Sequence, residues 1–167
     1  MNPVELSFLL QAHRFGGGLR SFSIEKMDFK DLDEVASLSA ALSNPWSKNM
    51  FIEEMHNPLS HCFTIGKKEA SRAFVVGFIC FRIVSDESEL LNLCVHPRYR
   101  QSGIGRKLMQ FYTDFCTERR IKSFYLEVNA ANQPALRLYE LFCYQPFGTR
   151  KKFYEGKWDA LLMVKNV

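Results

Sequence analysis

The chain is 167 residues long, the size of one ordinary domain, and long enough to bury its own core. A composition of 47% hydrophobic, 24% charged and 14% aromatic residues, with fifteen phenylalanines, excludes a disordered or collagen-like chain. Lys and Arg exceed Asp and Glu by 22 to 18, a net charge of +4 that suits an anionic ligand and falls far short of a nucleic-acid coat.

Residues 1–20 read as an appendage to a domain over 21–167. An apolar stretch from Val4 to Leu10 runs into the hinge Gly16-Gly17-Gly18, either as a short packed helix or as a disordered leader. Alternating residues predict a strand over 22–27. Asp28, with Asp31 three residues on, caps a helix whose apolar face is Leu32, Val35, Ala36, Leu38 and Leu42, and Asn44-Pro45 ends it. Ser47 caps a second helix through Met50, Phe51 and Met55. Strands follow over 61–66 and 74–84 and, after the polar turn at 85–88, over 89–95. A loop with Pro97 and Gly103 opens an amphipathic helix marked by Leu108, Met109, Tyr112 and Phe115. A strand over 122–128 leads to a helix capped by Asn132, and closing strands over 144–150 and 159–164 flank a turn at Gly156. The order β-α-α-β-β-β-α-β-α-β-β predicts an α/β fold: a central mixed sheet with helices on both faces.

No apolar run approaches the roughly 18 residues of a membrane span. The first ten residues lack a basic region and a cleavage site, so neither a membrane nor secretion is expected. Cys62, Cys80, Cys94, Cys116 and Cys143 are odd in number, at least 14 positions apart and without a C-x-x-C. They predict neither a disulfide framework nor a metal site, and point to a reducing, cytoplasmic compartment. A monomer or weak dimer is expected, with no nucleic-acid partner.

The most informative window starts at the strand Leu91 to Val95 and runs through His96-Pro97-Arg98-Tyr99-Arg100-Gln101-Ser102-Gly103-Ile104-Gly105-Arg106 into a helix. The glycines permit close approach to unpaired helical N–H groups at the positive end of a helix dipole, which is a site for phosphates. No Lys-Ser or Lys-Thr follows them, against a Walker loop. A dinucleotide fingerprint lacks its third glycine, and seven residues separate Val95 from Gly103, although Glu127 imitates the ribose-binding acid. Arg100-x-x-Gly103-x-Gly105 after a strand ending Val95-x-Pro97 resembles the acyl-coenzyme A loop of GNAT N-acetyltransferases. The resemblance covers about residues 22–165. Leu126-Glu127-Val128-Asn129-Ala130-Ala131-Asn132, the run Ala135 to Glu140, and Asn44-Pro45-Trp46-Ser47 are similar to the RimI-type N-terminal acetyltransferases, which modify the N-terminal alanine of a small-subunit ribosomal protein. The chain departs from that pattern in Phe142-Cys143-Tyr144, where the family usually has Leu-Gly-Phe, and in a shorter turn from Lys151 to Trp158.

The resemblance implies the GNAT acyl-CoA N-acyltransferase fold, acetyl-CoA as cosubstrate and a protein N-terminus as acceptor. It implies Gln101, Ser102, Gly103, Ile104, Gly105, Arg106 and Asn132 at the coenzyme, with backbone amides of Leu93, Cys94 and Val95 along its pantetheine. It also implies Glu127 as general base, directly or through water, and Tyr139 as general acid. Glu127 sits in an apolar strand opposite Phe124, Leu126 and Val128, where a carboxylate is costly unless paired or useful; its alternative is a solvated strand end. Tyr139 is alternatively a core tyrosine, and Asn132 is first an N-cap. Cys94, two positions before His96, offers a rival acetyl-cysteine route. Trp46 and Tyr154 are expected to wall an acceptor groove, with Glu155 and Asp159 meeting basic residues further along. A GNAT enzyme for small amines, or a non-catalytic acyl-CoA-binding regulator, are the alternatives.

Overall fold

The computed structural model describes residues 21–69 and 72–167, and the appendage expected over 1–20 lies outside them. The described strands are β1 (Phe22–Lys26), β2 (Ser60–Glu69), β3 (Arg72–Val84), β4 (Glu87–Val95), β5 (Ser123–Asn129), β6 (Gln145–Tyr154) and β7 (Trp158–Asn166). They form one mixed sheet in the order β1-β2-β3-β4-β5-β7-β6. Among them only β4 and β5 pair in parallel. That pairing demands a crossover, supplied by α3 (Ile104–Thr117). The other helices are α1 (Leu32–Ser39), α2 (Lys48–His56) and α4 (Gln133–Leu141).

Helices cover both faces, as the element order predicts. On one, Ile104, Leu108, Met109 and Tyr112 of α3 and Tyr139 of α4 pack on Ile79, Phe81, Phe124 and Leu126. On the other, Val35 and Leu38 of α1 and Phe51 of α2 pack on Phe78, Cys80 and Cys94. Each fully buried large side chain contributes about 1.5–3 kcal/mol, and the phenylalanine-rich composition is concentrated here: Phe81 lies 4.6 Å from Tyr112, and Phe51 5.2 Å from Phe78.

The predicted caps form. Asp28 and Asp31 make a reciprocal capping box on a 3₁₀ turn, Phe29–Asp31, that leads into α1. The Ser47 hydroxyl accepts from Met50 N–H at 3.3 Å, and Asn132 Oδ1 from Ala135 N–H at 3.3 Å. Several strands shift or run longer than expected, β2 to Glu69 and β6 to Tyr154 among them, because cross-strand pairing continues past the apolar run, and two boundaries have a local cause. α1 stops at Ser39, short of Leu42, because the Ser39 hydroxyl accepts the Trp46 N–H at 2.7 Å and folds the connection back. β4 begins at Glu87 because the turn before it is only Ser85-Asp86, with Ser85 at φ +57°.

One irregularity positions the site. The β3–β4 register jumps from Cys80↔Asn92 to Phe81↔Leu90, which leaves Leu91 as an extra residue. A bulge of one residue reverses the side-chain alternation beyond it. Leu90 faces the α3–α4 core; past the bulge Leu93 and Val95 return to that side, and Cys94 turns toward α1. The β4–β5 ladder ends just here, at Leu90↔Leu126. Beyond it Glu127, Val128 and Asn129 pair only with β7, and Asn92 to Val95 only with β3, so the two central strands part as a wedge. Gly77 on β3 lets β3 lie close against this end of β4: a Cβ there would stand 2.6 Å from the Cys94 carbonyl oxygen.

Candidate active site

The wedge opens into a cavity of about 100 Å³ whose walls include Trp46, Leu93, Glu127, Asn132, Tyr139 and Tyr154, together with Asn92 and Asn129. Six residues singled out in the sequence, drawn from five parts of the chain, are thus brought together.

Tyr139 comes from the third-last position of α4 and is 8% exposed. Its placement depends on how that helix ends. Tyr144 N–H donates to Tyr139 C=O at 3.1 Å and Cys143 N–H to Glu140 C=O at 2.9 Å, a Schellman motif. The apolar contact that accompanies such a motif is the Tyr139–Tyr144 ring pair, at 6.0 Å. Cys143 is the left-handed residue this geometry requires, at φ +66°. The departure Phe142-Cys143-Tyr144 therefore keeps the backbone device while omitting its usual glycine. Burial, with a smaller contribution from Tyr154, holds the Tyr139 phenol well above the ordinary tyrosine range, so it carries its proton at neutral pH.

Glu127 points to the face of β5 opposite buried Phe124, Leu126 and Val128, as the alternation predicts. Its Oε1 accepts from Arg150 Nη1 at 2.7 Å, while Oε2 has no protein donor among the described residues. Tyr154 is half-buried nearby. Burial and the Glu127 charge raise its pKa, against a smaller opposing effect of Arg150. Trp46 is held by its backbone bond to Ser39 and by Phe51, 5.3 Å from the indole.

The loop before α3 is exposed from Gln101 to Gly103, with Gln101 at φ +60° and Gly103, the N-cap, at φ +88°. The first backbone bond across this helix start runs from Lys107 N–H to Gly103 C=O at 2.9 Å. The amides of Ile104, Gly105 and Arg106 precede it at the positive end of the dipole. Exposed Arg98 and Arg106 rim this end, and Arg100 Nε donates to Val95 C=O at 3.2 Å. The Ser102 hydroxyl is engaged with the Tyr99 carbonyl. Buried Ile104 anchors the turn from within. Gly105 proves to be a packing glycine, since a Cβ there would lie 3.3 Å from Leu138 of α4.

Cys94 and His96 have different hydrogen-bond partners. The Cys94 thiol is 3% exposed, donates to Leu38 C=O at 3.5 Å, and is pushed by burial up to about 11. His96 instead caps a 3₁₀ turn, Pro97–Tyr99, accepting from Arg98 N–H at 3.2 Å. Burial and a protonated state both work against a nucleophilic role for this thiol. Asp159 is taken up by Lys151 Nζ at 3.0 Å and Lys152 N–H at 2.8 Å, and is not open to an acceptor.

Residues 29–143 match the model of the Acetyltransferase (GNAT) family. The chain belongs to the GNAT acetyltransferases. A candidate ribosomal protein bS18-alanine N-acetyltransferase of Bacillus subtilis is 32% identical over 84% of this chain and 93% of its own length. The ribosomal protein bS18-alanine N-acetyltransferase of Escherichia coli is 30% identical, over 72% of this chain and 80% of its own. The crystal structure of the Escherichia coli enzyme superposes with a TM-score of 0.75 at 26% identity, covering 87% of this chain and 94% of that one. Ard1 from Thermoplasma volcanium gives 0.77 at 23% identity over 88% and 98%. As a GNAT member the protein is an N-acetyltransferase, with the mixed sheet and two helical layers of that fold. Among its described residues no helix is long and apolar enough to cross a membrane. What the sequence did not disclose is Arg150 against Glu127 and the bulge at Leu91: both depend on strands brought together by the sheet order.

Proposed function

We propose that this acetyltransferase moves the acetyl group of acetyl-CoA to the α-amine of a protein N-terminus, a ribosomal protein's N-terminal alanine being the leading acceptor, by direct transfer within a ternary complex. The observation that carries the reading is the cavity in the β4–β5 wedge, where an acid with one uncommitted oxygen and a proton-bearing phenol line the same small space. The activity in the names of the Escherichia coli and Bacillus subtilis relatives supports the acceptor.

The chain fits the coenzyme. Amides at the start of α3, the left-handed Gly103 and the exposed arginines suit a pyrophosphate. The edge of β4 left unpaired beyond Leu90 offers Leu93 to Val95 backbone groups to an amide-bearing arm. Acetyl-CoA supplies an activated thioester. In this reading Glu127 Oε2 takes the proton of the incoming ammonium, directly or through water, with Arg150 fixing the carboxylate. As the C–N bond forms and the C–S bond breaks, Tyr139 gives its proton to the departing sulfur. Asn132 caps α4 and borders the coenzyme. Trp46 and Tyr154 wall the acceptor. The buried Cys94 thiol, held protonated and bonded to Leu38 C=O, favours direct transfer over an acetyl-cysteine. A cytoplasmic location agrees with four buried, unbridged cysteines.

The test is acetyl-CoA turnover against hexapeptides differing in their first residue, beside free amino acid amides and polyamines. Turnover on an alanine-initiated peptide that exceeds turnover on alanine amide supports the reading. Efficient acetylation of the amide or of a polyamine with none of the peptides transfers the protein to the small-amine alternative.

A further inference from the structure

On the far side of Trp46 lies a second hollow, of about 240 Å³, lined by Trp46, Met50, Glu53, Glu54, Arg82 and Leu91. Trp46 and Leu91 line the transfer cavity as well, so the indole and the bulge residue form the partition between the two. The charges in this hollow are unequal. Arg82 Nε and Nη2 donate to Glu54 Oε1 and Oε2 at 2.8 and 2.6 Å, and the Ser60 hydroxyl donates to the same carboxylate. Glu54 is 6% exposed, and with Arg82 it makes a floor whose charges cancel. Glu53, the preceding residue of α2, is exposed and forms no hydrogen bond or ion pair with any described residue. The uncompensated charge facing the hollow is negative, and it stands beside the apolar surfaces of Trp46, Met50 and Leu91. A long aliphatic stem that ends in a cation matches both features, with the indole face adding attraction for the cation.

We propose that this hollow is a subsite for a lysine or arginine side chain of the acceptor, drawn from its second to fourth residue, with the stem against Trp46 and Met50 and the charged head at the Glu53 carboxylate. The proposal rests on the acceptor being a protein N-terminus. An α-amine held near Glu127 leaves a chain that advances about 3.3–3.6 Å per residue past the Trp46 partition, so a side chain within the first few residues is the one that meets the hollow. It also accounts for the unlike treatment of neighbouring acids on α2, one neutralised and buried, the other left open.

The test compares kcat/KM for alanine-initiated hexapeptides carrying Lys, Ala or Glu at positions two, three and four in turn, using the unmodified enzyme, Glu53→Gln and Glu53→Lys. At one position Lys is favoured over Ala by about five-fold, the size of one partly screened ion pair, and the effect resides in KM. The preference disappears in Glu53→Gln and turns toward Glu in Glu53→Lys, while the all-alanine peptide is acetylated equally by all three proteins. Acetylation with no preference for Lys, with a preference for Glu in the unmodified enzyme, or with a preference that survives Glu53→Gln overturns the subsite and leaves the N-terminal acceptor standing. Failure to acetylate any peptide, with turnover on small amines, overturns both.

Discussion

Cys143 holds a left-handed conformation, φ +66°, at the position that ends α4. A side chain there costs about 1–2 kcal/mol, against the 0.5–1 kcal/mol of extra chain entropy that glycine loses on folding. Cys143→Gly is therefore expected to stabilise the protein by a few tenths to about 1 kcal/mol, read as a higher denaturation midpoint at unchanged m-value. Its neighbour Tyr144 has a buried hydroxyl that makes no hydrogen bond of ordinary geometry among the described residues, although the Tyr112 hydroxyl lies beside it. Removing an unsatisfied polar atom while keeping the ring is neutral or favourable, so Tyr144→Phe should leave stability equal or raise it by up to about 1 kcal/mol, with turnover close to unchanged. A loss of 2 kcal/mol or more would mean that the hydroxyl has a partner in solution. Cys94 gives a third test at this scale. Its thiol is held protonated by burial at about 11 and faces Leu38; Cys94→Ala should keep most activity, and no acetyl-enzyme should accumulate by mass spectrometry when acceptor is withheld.

At the scale of elements the course of β4 along the wedge is set by the Leu91 bulge and by its close contact with Gly77 of β3. Gly77→Ala would set a methyl 2.6 Å from the Cys94 carbonyl oxygen and 3.2 Å from Ile65 Cγ2. Neither neighbour is the free end of a flexible chain, so the β3–β4 contact must shift. The expected result is a loss of about 1–3 kcal/mol together with weaker coenzyme A binding, which calorimetry and denaturant titration would measure on the same sample. The contrast between Gly77 and the caps explains which features can be read from sequence. Asp28 with Asp31, Ser47 and Asn132 act on backbone groups a few residues away, so their signals are local: Ser47 and Asn132 mark the observed starts of α2 and α4, and Asp28 marks the 3₁₀ turn that leads into α1. The alternation of Phe124, Leu126 and Val128 likewise placed Glu127 on the right face of β5. Leu91 is different. A bulge exists only relative to the register of the partner strand, and nothing in Leu90-Leu91-Asn92 distinguishes the extra residue. Arg150 reaches Glu127 because β7 lies between β5 and β6, a consequence of sheet order with no local signature. The packing reason for Gly105 has no local signature either, since it answers to Leu138 on a helix well along the chain.

For the whole molecule, the buried titratable groups set the pH range of stability. Burial raises Cys94 to about 11 and Cys116 to about 12, both above the ordinary thiol value of 9.0. Between pH 9 and those values the unfolded chain releases protons that the folded chain retains, so it binds fewer protons than the native state and stability falls as pH rises. At neutral pH both states are protonated and these groups contribute no slope. On the acid side burial acts to raise Glu54, but hydrogen bonds from Arg82 and Ser60 and the Arg82 charge outweigh it and leave it below 4.5. The stability this pair contributes is present above that value and is lost as pH falls through the depressed one. Denaturation midpoints measured from pH 3 to 11 should form a plateau that falls at both ends; a midpoint still rising between pH 9 and 11 would contradict the buried thiols.

In the proposed mechanism the wedge brings an acetyl group to a proton donor that takes no part in binding the coenzyme. Tyr139→Phe removes only that proton from a buried ring fixed by the Schellman motif. Steady-state turnover with acetyl-CoA and an alanine-initiated hexapeptide, set beside the calorimetric Kd for acetyl-CoA, tests it most directly. The expected result is a fall in kcat of about 10²-fold or more with Kd changed less than two-fold. Turnover equal to that of the unmodified enzyme, or a loss that appears wholly as weaker acetyl-CoA binding, would contradict it.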